Sequence, residues 1–299
     1  MTGNVYDELG EAHGGDEHWA FGTGFTDDGV EVTAPAPDDV PGGELAEYCL
    51  MLGDDALICG QRLAEWVADA PELEEEVALA NISLDLLGQA RLLLSRAAHL
   101  LPAADVVRSG EDQLAYWRSE SEFRNVALAE LGDERDFARA IARLLIFSCW
   151  RLALLERLRE SRDPVLAAVA AKSVNELAYH RDYAARWTLR LGDGTDESHT
   201  RMAAALDAVW PHVDELFRPS ETERRLAAAG IAVDPAEVRA EVTAVLTHVL
   251  ARATLAVPDR PPAGPIGGRG GRDGLHTEAL GHLLAEMQSL ARAHPDATW

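Results

Sequence analysis

From Glu44 onward, apolar residues recur at three- and four-residue steps, the spacing that lays them along one face of an α-helix. Leu45, Tyr48, Cys49, Leu52, Ala56, Cys59, Leu63 and Trp66 form the first stripe, which Asp69-Ala70-Pro71 interrupts. A second helix opens on Glu72, Glu74, Glu75 and Glu76 and runs through Val77, Ala80, Leu84, Leu87, Leu94 and Ala98 to Leu101-Pro102. Negative charge in that first turn suits the helix dipole. The link between the two is short, so they must be antiparallel neighbours. A less regular stretch follows, with a short helix expected around Asp112–Arg118.

The third long helix is expected from about Phe137 to Arg159, on a stripe of Ile141, Leu144, Leu145, Ser148, Leu152 and Leu155. Pro164 suits the first position of the fourth. That helix carries Val169, Ser173, Glu176, His180, Tyr183 and Trp187 on one face and ends near Gly192-Asp193-Gly194. Further helices are expected at Ser198–Phe217, Pro235–Ala256 and Thr277–Ala293. The Pro-, Gly- and Arg-rich run 261–274 reads as a flexible connection. Two helical hairpins joined by a longer crossover describe an all-α, ferritin-like four-helix bundle core with additional C-terminal helices. Residues 1–43, acidic and rich in Gly and Pro, read as a disordered extension, and 44–299 as a single domain.

A bundle of this kind holds two metals with one Glu from each of two helices and a Glu-x-x-His from each of the others. The i, i+3 spacing puts carboxylate and imidazole on one helix face. No Glu-x-x-His occurs in the chain. In the second helix, Asp85-Leu86-Leu87-Gly88 has an acid but a glycine where the imidazole belongs. In the fourth, Glu176-Leu177-Ala178-Tyr179 offers a tyrosine, and His180 falls one residue late, about 100° around the helix. The first helix could supply Asp55, expected level with Asp85. The third has no acid between Asp136 and Glu156 and presents Ser148.

The expected outcome is a site with no catalytic, cofactor or metal ligands, its degenerate positions being Asp55, Asp85, Gly88, Ser148, Glu176, Tyr179 and His180. Asp85 is either inward or solvated. Glu176 and His180 are expected to be buried, with Arg91 or Arg143 pairing Glu176, so that an Arg–carboxylate network fills the metal space. A single metal on Asp55, Glu176 and His180 is the weaker alternative. Asp196-x-x-His199 and His276-Thr277-Glu278 read as caps or surface contacts. There is no GxSxG, HExxH, GxGxxG or P-loop.

Composition narrows the partners. The 299 residues carry a net charge of −24, which argues against nucleic acid and anionic membranes. Lys172 is the only lysine, and an acidic, lysine-poor surface suggests a protein kept soluble in concentrated salt. Cys49, Cys59 and Cys149 are scattered among apolar residues, as in a reducing compartment. No export signal and no apolar run of about 20 residues is visible, so a cytoplasmic location is expected.

Several blocks resemble the phenylacetyl-CoA epoxidase family. They include Leu52-Gly53-Asp54-Asp55-Ala56-Leu57-Ile58, Ala78-Leu79-Ala80-Asn81-Ile82-x-Leu84-Asp85-Leu86-Leu87-Gly88-Gln89-Ala90-Arg91, and Glu160-Ser161-Arg162-Asp163-Pro164. Leu191-Gly192-Asp193-Gly194-Thr195-Asp196 and Gly274-Leu275-His276-Thr277-Glu278 continue the pattern. The resemblance covers roughly residues 46–299 and is to the C-type member of that system. It implies a multicomponent monooxygenase that epoxidises the aromatic ring of phenylacetyl-CoA. In that family a catalytic A subunit holds the di-iron site, a small B subunit joins it, and a reductase carries FAD and an iron–sulfur cluster and uses NADPH. The C type is implied to be a metal-free structural subunit that pairs with A. An active di-iron subunit with atypical ligands and a stand-alone helical binding protein are the competing expectations.

Overall fold

The computed structural model describes residues 29–101, 110–132 and 134–295. The described residues are helical, with no β-strand among them beyond an isolated Ile266–Arg269 bridge. Helix α1 (Gly42–Ala64) packs along α2 (Leu73–Leu100). After the short α3 (Gly110–Tyr116) and α4 (Ala127–Glu130), α5 (Phe137–Leu158) packs along α6 (Pro164–Gly192). These two hairpins form the ferritin-like bundle. Added to it are α7 (Asp196–Val209), α8 (Glu221–Ala228), α9 (Arg239–Arg252) and α10 (Glu278–Ala293).

Local chemistry sets these boundaries. Asp136 accepts from the Ala138 amide at the start of α5, and Asp163 accepts from the Leu166 amide ahead of Pro164 in α6. The expected helix 198–217 stops at Val209, because Pro211 lacks an amide proton and the chain continues in tight turns at Trp210–His212 and Asp214–Phe217. The expected helix 235–256 is likewise a tight turn, Pro235–Val238, followed by α9. Helix α8 has no counterpart among the expected helices. It is short, mostly polar, and closed by a Ser220–Glu223 capping box.

Glycine sets the approach of α1 to α2. A Cβ at Gly53 would lie 2.9 Å from Leu94, and one at Gly60 would lie 3.2 Å from the Ser83 carbonyl oxygen. Ser83 Oγ donates to the Gly60 carbonyl at 2.8 Å. This register corrects one expectation: Asp85 is level with Gly60, not with Asp55, an offset of about 7.5 Å along the helix.

Residues 29–41, assigned from sequence to the disordered extension, pack on the bundle instead. Val30 and Val40 are buried, and Arg96 of α2 donates to the Val32 and Ala34 carbonyls while pairing with Asp163 at 2.6 Å. Residues 1–28 lie outside the described residues. Among the described residues, α2 is the one helix long and apolar enough, by length and hydropathy, to cross a bilayer. It is nonetheless one wall of the bundle, tied to α1 and α6 by polar side chains.

Candidate functional site

The middle of the bundle, where inward donors of a metal centre would meet, is taken by Arg151. It projects from α5 one turn after Ser148 and is almost fully buried. Arg151 Nε donates to Gln89 Oε1 at 3.0 Å, and Nη1 donates to the Leu52 carbonyl at 3.2 Å. Its Nη2 makes no hydrogen bond to the described residues. Burial lowers the Arg151 pKa from its ordinary value, with the nearby Asp55 charge opposing the shift. Gln89 in turn donates from Nε2 to Glu176 Oε2 at 2.9 Å. An α5–α2–α6 chain of guanidinium, amide and carboxylate therefore spans the bundle.

The other expected positions scatter around this chain. Ser148 Oγ donates to the Leu144 carbonyl of its own helix at 2.6 Å and faces no ligand. Gly88 is partly exposed, and a Cβ built on it would meet nothing within 4 Å. It thus lies on the outer face of α2, and the inward residue of that turn is Gln89. Tyr179 is 48% exposed and also points away from the interior. His180 is buried and its Nε2 lies 2.9 Å from Asp85 Oδ2, whose side chain is 37% exposed. Glu176 is half-buried with Gln89 as a partner. Of the arginines considered for Glu176, Arg91 reaches Glu111 at 3.5 Å, and Arg143 donates to the Leu131 carbonyl.

Asp55 is sequestered elsewhere. It is fully buried and receives Arg272 in a two-pronged pair, Nη1 to Oδ1 at 2.9 Å and Nη2 to Oδ2 at 2.8 Å, with the Val126 amide donating at 2.9 Å. Burial alone would depress the Arg272 guanidinium, but Asp55, Glu223 and Glu215 outweigh it and hold its pKa above the ordinary arginine value. Its neighbour Asp54 is held the same way by Arg118, and by the Arg124 amide at 2.9 Å. Arg272 comes from the run read as a flexible connection, so at least that part of the run is a buried structural arm. Sequence reasoning missed both Arg272 and Arg151. The one available signal for Arg151 was its place three residues after Ser148, on the inward stripe.

A third buried constellation involves His276, read from sequence as a surface contact. Its ring has no exposed surface, with Nδ1 2.8 Å from Glu130 Oε2 and Nε2 3.1 Å from the Phe123 carbonyl. Both neighbours present oxygen acceptors, an arrangement that favours the doubly protonated ring. Burial opposes that charge, but the hydrogen bond and charge of Glu130, with the Phe123 carbonyl, raise the His276 pKa above its ordinary value. Glu130 also accepts from Asn125 Nδ2 at 2.7 Å and from the Thr277 amide at 2.6 Å.

This donor set does not fit a di-iron centre. A guanidinium and an amide occupy the position that carboxylates would need, and the nearest carboxylate on α1 is neutralised by arginine. Among the described residues, no three His, Cys, Asp or Glu side chains converge as a metal-ion set.

Comparison with known proteins gives the architecture a lineage. Residues 34–299 match the family model described as phenylacetic acid catabolic protein. A curated relative, the C subunit of 1,2-phenylacetyl-CoA epoxidase from Escherichia coli (strain K12), is 46% identical over 256 residues, spanning 86% of this chain and 99% of the relative. With the family match running through the whole bundle and its C-terminal arm, the chain belongs to the phenylacetic acid catabolic protein family.

Proposed function

We propose that this chain is a non-catalytic, structural subunit of a phenylacetyl-CoA 1,2-epoxidase acting in phenylacetate breakdown in the cytoplasm. It pairs with the di-iron catalytic A subunit and supports that subunit's metal-bearing helices, and the small B subunit joins the same assembly. The chain itself holds no metal or cofactor. Iron belongs to the A subunit, and FAD, the iron–sulfur cluster and NADPH belong to the reductase. The bundle, its C-terminal helices and the packed segment 29–41 act as one ferritin-like domain, and the acidic, lysine-poor surface is an adaptation to concentrated salt.

The observation that carries this reading is the Arg151–Gln89 pair at the bundle centre. A fixed positive charge there repels a divalent cation, and the amide offers it only a weak neutral donor. The likeness to the C subunit of an epoxidase supports the assignment of the pathway. A second reading, an active oxygenase subunit with atypical ligands, draws on the pairing of Asp85 with His180 and on Glu176 one turn away.

Iron content after anaerobic Fe(II) loading and desalting separates the two. The expected result is no iron on the isolated chain, and in the complex only what the A subunit binds by itself. About two irons retained by the isolated chain would sink the structural reading and favour the second.

A further inference from the structure

Tyr179, Tyr183 and Trp187 follow one another at four-residue steps on α6, so their rings share one face of the helix. The Tyr179 and Tyr183 ring centres are 6.4 Å apart. Tyr183 is buried and Tyr179 is exposed, so the pair leads from the interior to the surface. Tyr183 and Trp187 also direct their polar tips at a single atom of α2. The Tyr183 hydroxyl donates to Glu75 Oε2, and Trp187 Nε1 donates to the same oxygen at 2.7 Å. Among the described residues no arginine or lysine forms an ion pair with Glu75.

A buried hydroxyl or indole N–H needs an acceptor, and a backbone carbonyl would serve for either. A carboxylate in that place can also take up a proton. That difference matters for oxidation, because a phenol that loses an electron becomes a very strong acid and must shed its proton in the same event. Burial, with the hydrogen bond and charge of Glu75, holds the Tyr183 pKa above its ordinary value, so the ring stays a phenol until an electron leaves. Trp187 is the poorer electron donor. The Arg190 guanidinium lies 5.1 Å from its ring centre and opposes positive charge on the indole. Its role is to hold Glu75 in place with a second donor.

We infer that Tyr183 and Glu75 form a proton-coupled electron donor, with Tyr179 as its outlet to the surface, that quenches oxygen-centred radicals. An oxygen-centred radical at the surface, such as an organic peroxyl, takes one electron from Tyr183 through the Tyr179 ring. It takes a proton from solvent and leaves as the hydroperoxide. The Tyr183 hydroxyl proton moves along its hydrogen bond to Glu75 Oε2, which leaves a neutral tyrosyl radical beside a neutral carboxyl group. An ascorbate-type or thiol reductant then returns one electron, and the Glu75 proton goes back to the phenol oxygen. The geometry needed for the proton step is already built, since a base within hydrogen-bond reach of the proton it accepts is the first requirement. This activity needs no metal and does not depend on the proposed pairing.

The test is flash photolysis of the full chain with a photo-oxidised ruthenium polypyridyl complex standing in for the radical. Tyrosyl radical is followed by transient absorbance and electron paramagnetic resonance, and thermal melts confirm that each variant is folded. The wild-type chain is expected to give a long-lived tyrosyl radical that forms more slowly in heavy water. Tyr183→Phe should abolish the long-lived signal, and Tyr179→Phe should slow its formation. Glu75→Gln keeps an acceptor for both donors but cannot take the proton. It should slow formation about a hundredfold, the lower end of what a positioned base contributes, and remove the solvent isotope effect. An unchanged long-lived signal in Tyr183→Phe overturns the site. Wild-type kinetics in Glu75→Gln, or a wild-type rate equal in light and heavy water, overturns the carboxylate as proton acceptor. The isotope measurement uses only the wild-type chain, so it decides the matter even where a variant does not fold.

Discussion

Asp55 and Asp85 are both helical aspartates at positions where a metal-bearing bundle would place donors, and the fold treats them in opposite ways. Asp55 has no exposed surface and is held by Arg272 and the Val126 amide. Asp85 keeps more than a third of its side chain in solvent and is held by His180. A carboxylate taken out of water must be neutralised and hydrogen-bonded, and losing its partner is costly. One at the edge is already served by water, so its partner adds little. Two ligand-like acids thus have separate fates: one is now part of the scaffold, and the other is a replaceable surface group.

The widest gap between these regions should appear on removing the buried partner. Arg272→Ala is expected to cost about 3–5 kcal/mol in urea unfolding, because it strands Asp55 in the interior; a loss below about 1 kcal/mol would erase the distinction. Next comes His276→Gln, which leaves Glu130 with fewer donors and should cost about 1–3 kcal/mol near pH 6. The His276 pKa is raised in the folded state, so its contribution is complete below the unfolded value of about 6.5. It is lost as pH rises through the folded value. Over that window wild-type stability should fall more steeply than that of the variant, and parallel pH profiles would refute the charged ring.

Arg151→Met sharpens the comparison from another side. Arg151 is more deeply buried than Arg272 but forms no hydrogen-bonded ion pair with a carboxylate, and its Nη2 has no hydrogen-bond partner among the described residues. Replacing it with an apolar chain of similar length should change stability by less than about 1 kcal/mol, or raise it. A loss like that of Arg272→Ala would mean Arg151 neutralises Asp55 as well. The smallest effect belongs to Asp85→Ala, expected to stay under about 1 kcal/mol in the same urea titration. A larger loss would place Asp85 with the structural acids.

The bundle was legible because its signals are local. Three- and four-residue apolar steps marked α1, α2, α5 and α6, and Asp163-Pro164 marked where α6 begins. The site was only half legible. Facing is sensitive to one residue in 3.6, so taking Gly88 as inward displaced the real inward residue, Gln89, by one position. Arg–carboxylate pairs do line the interior, among them Arg96–Asp163, Arg118–Asp54 and Arg272–Asp55, which the sequence reading did not name. Arg91 and Arg143 were near in helical register, whereas Arg272 arrives from 217 residues away in a segment with no periodicity to announce it. Burial of His276 was hidden for the same reason, since its partners Glu130 and Phe123 lie on the far side of the chain's midpoint.

The Asp55–Arg272 pair also sets a timetable. Translation delivers Asp55 long before its counter-ion, by about 10–40 s at roughly 5–20 residues per second. Throughout that interval α1 and α2 can associate, and α5 and α6 can close over them, around a carboxylate that still needs water. The nascent bundle must stay loosened on the α1 side until the C-terminal arm threads Arg272 home. A segment made 217 residues after Asp55 is therefore the one that seals the first hairpin.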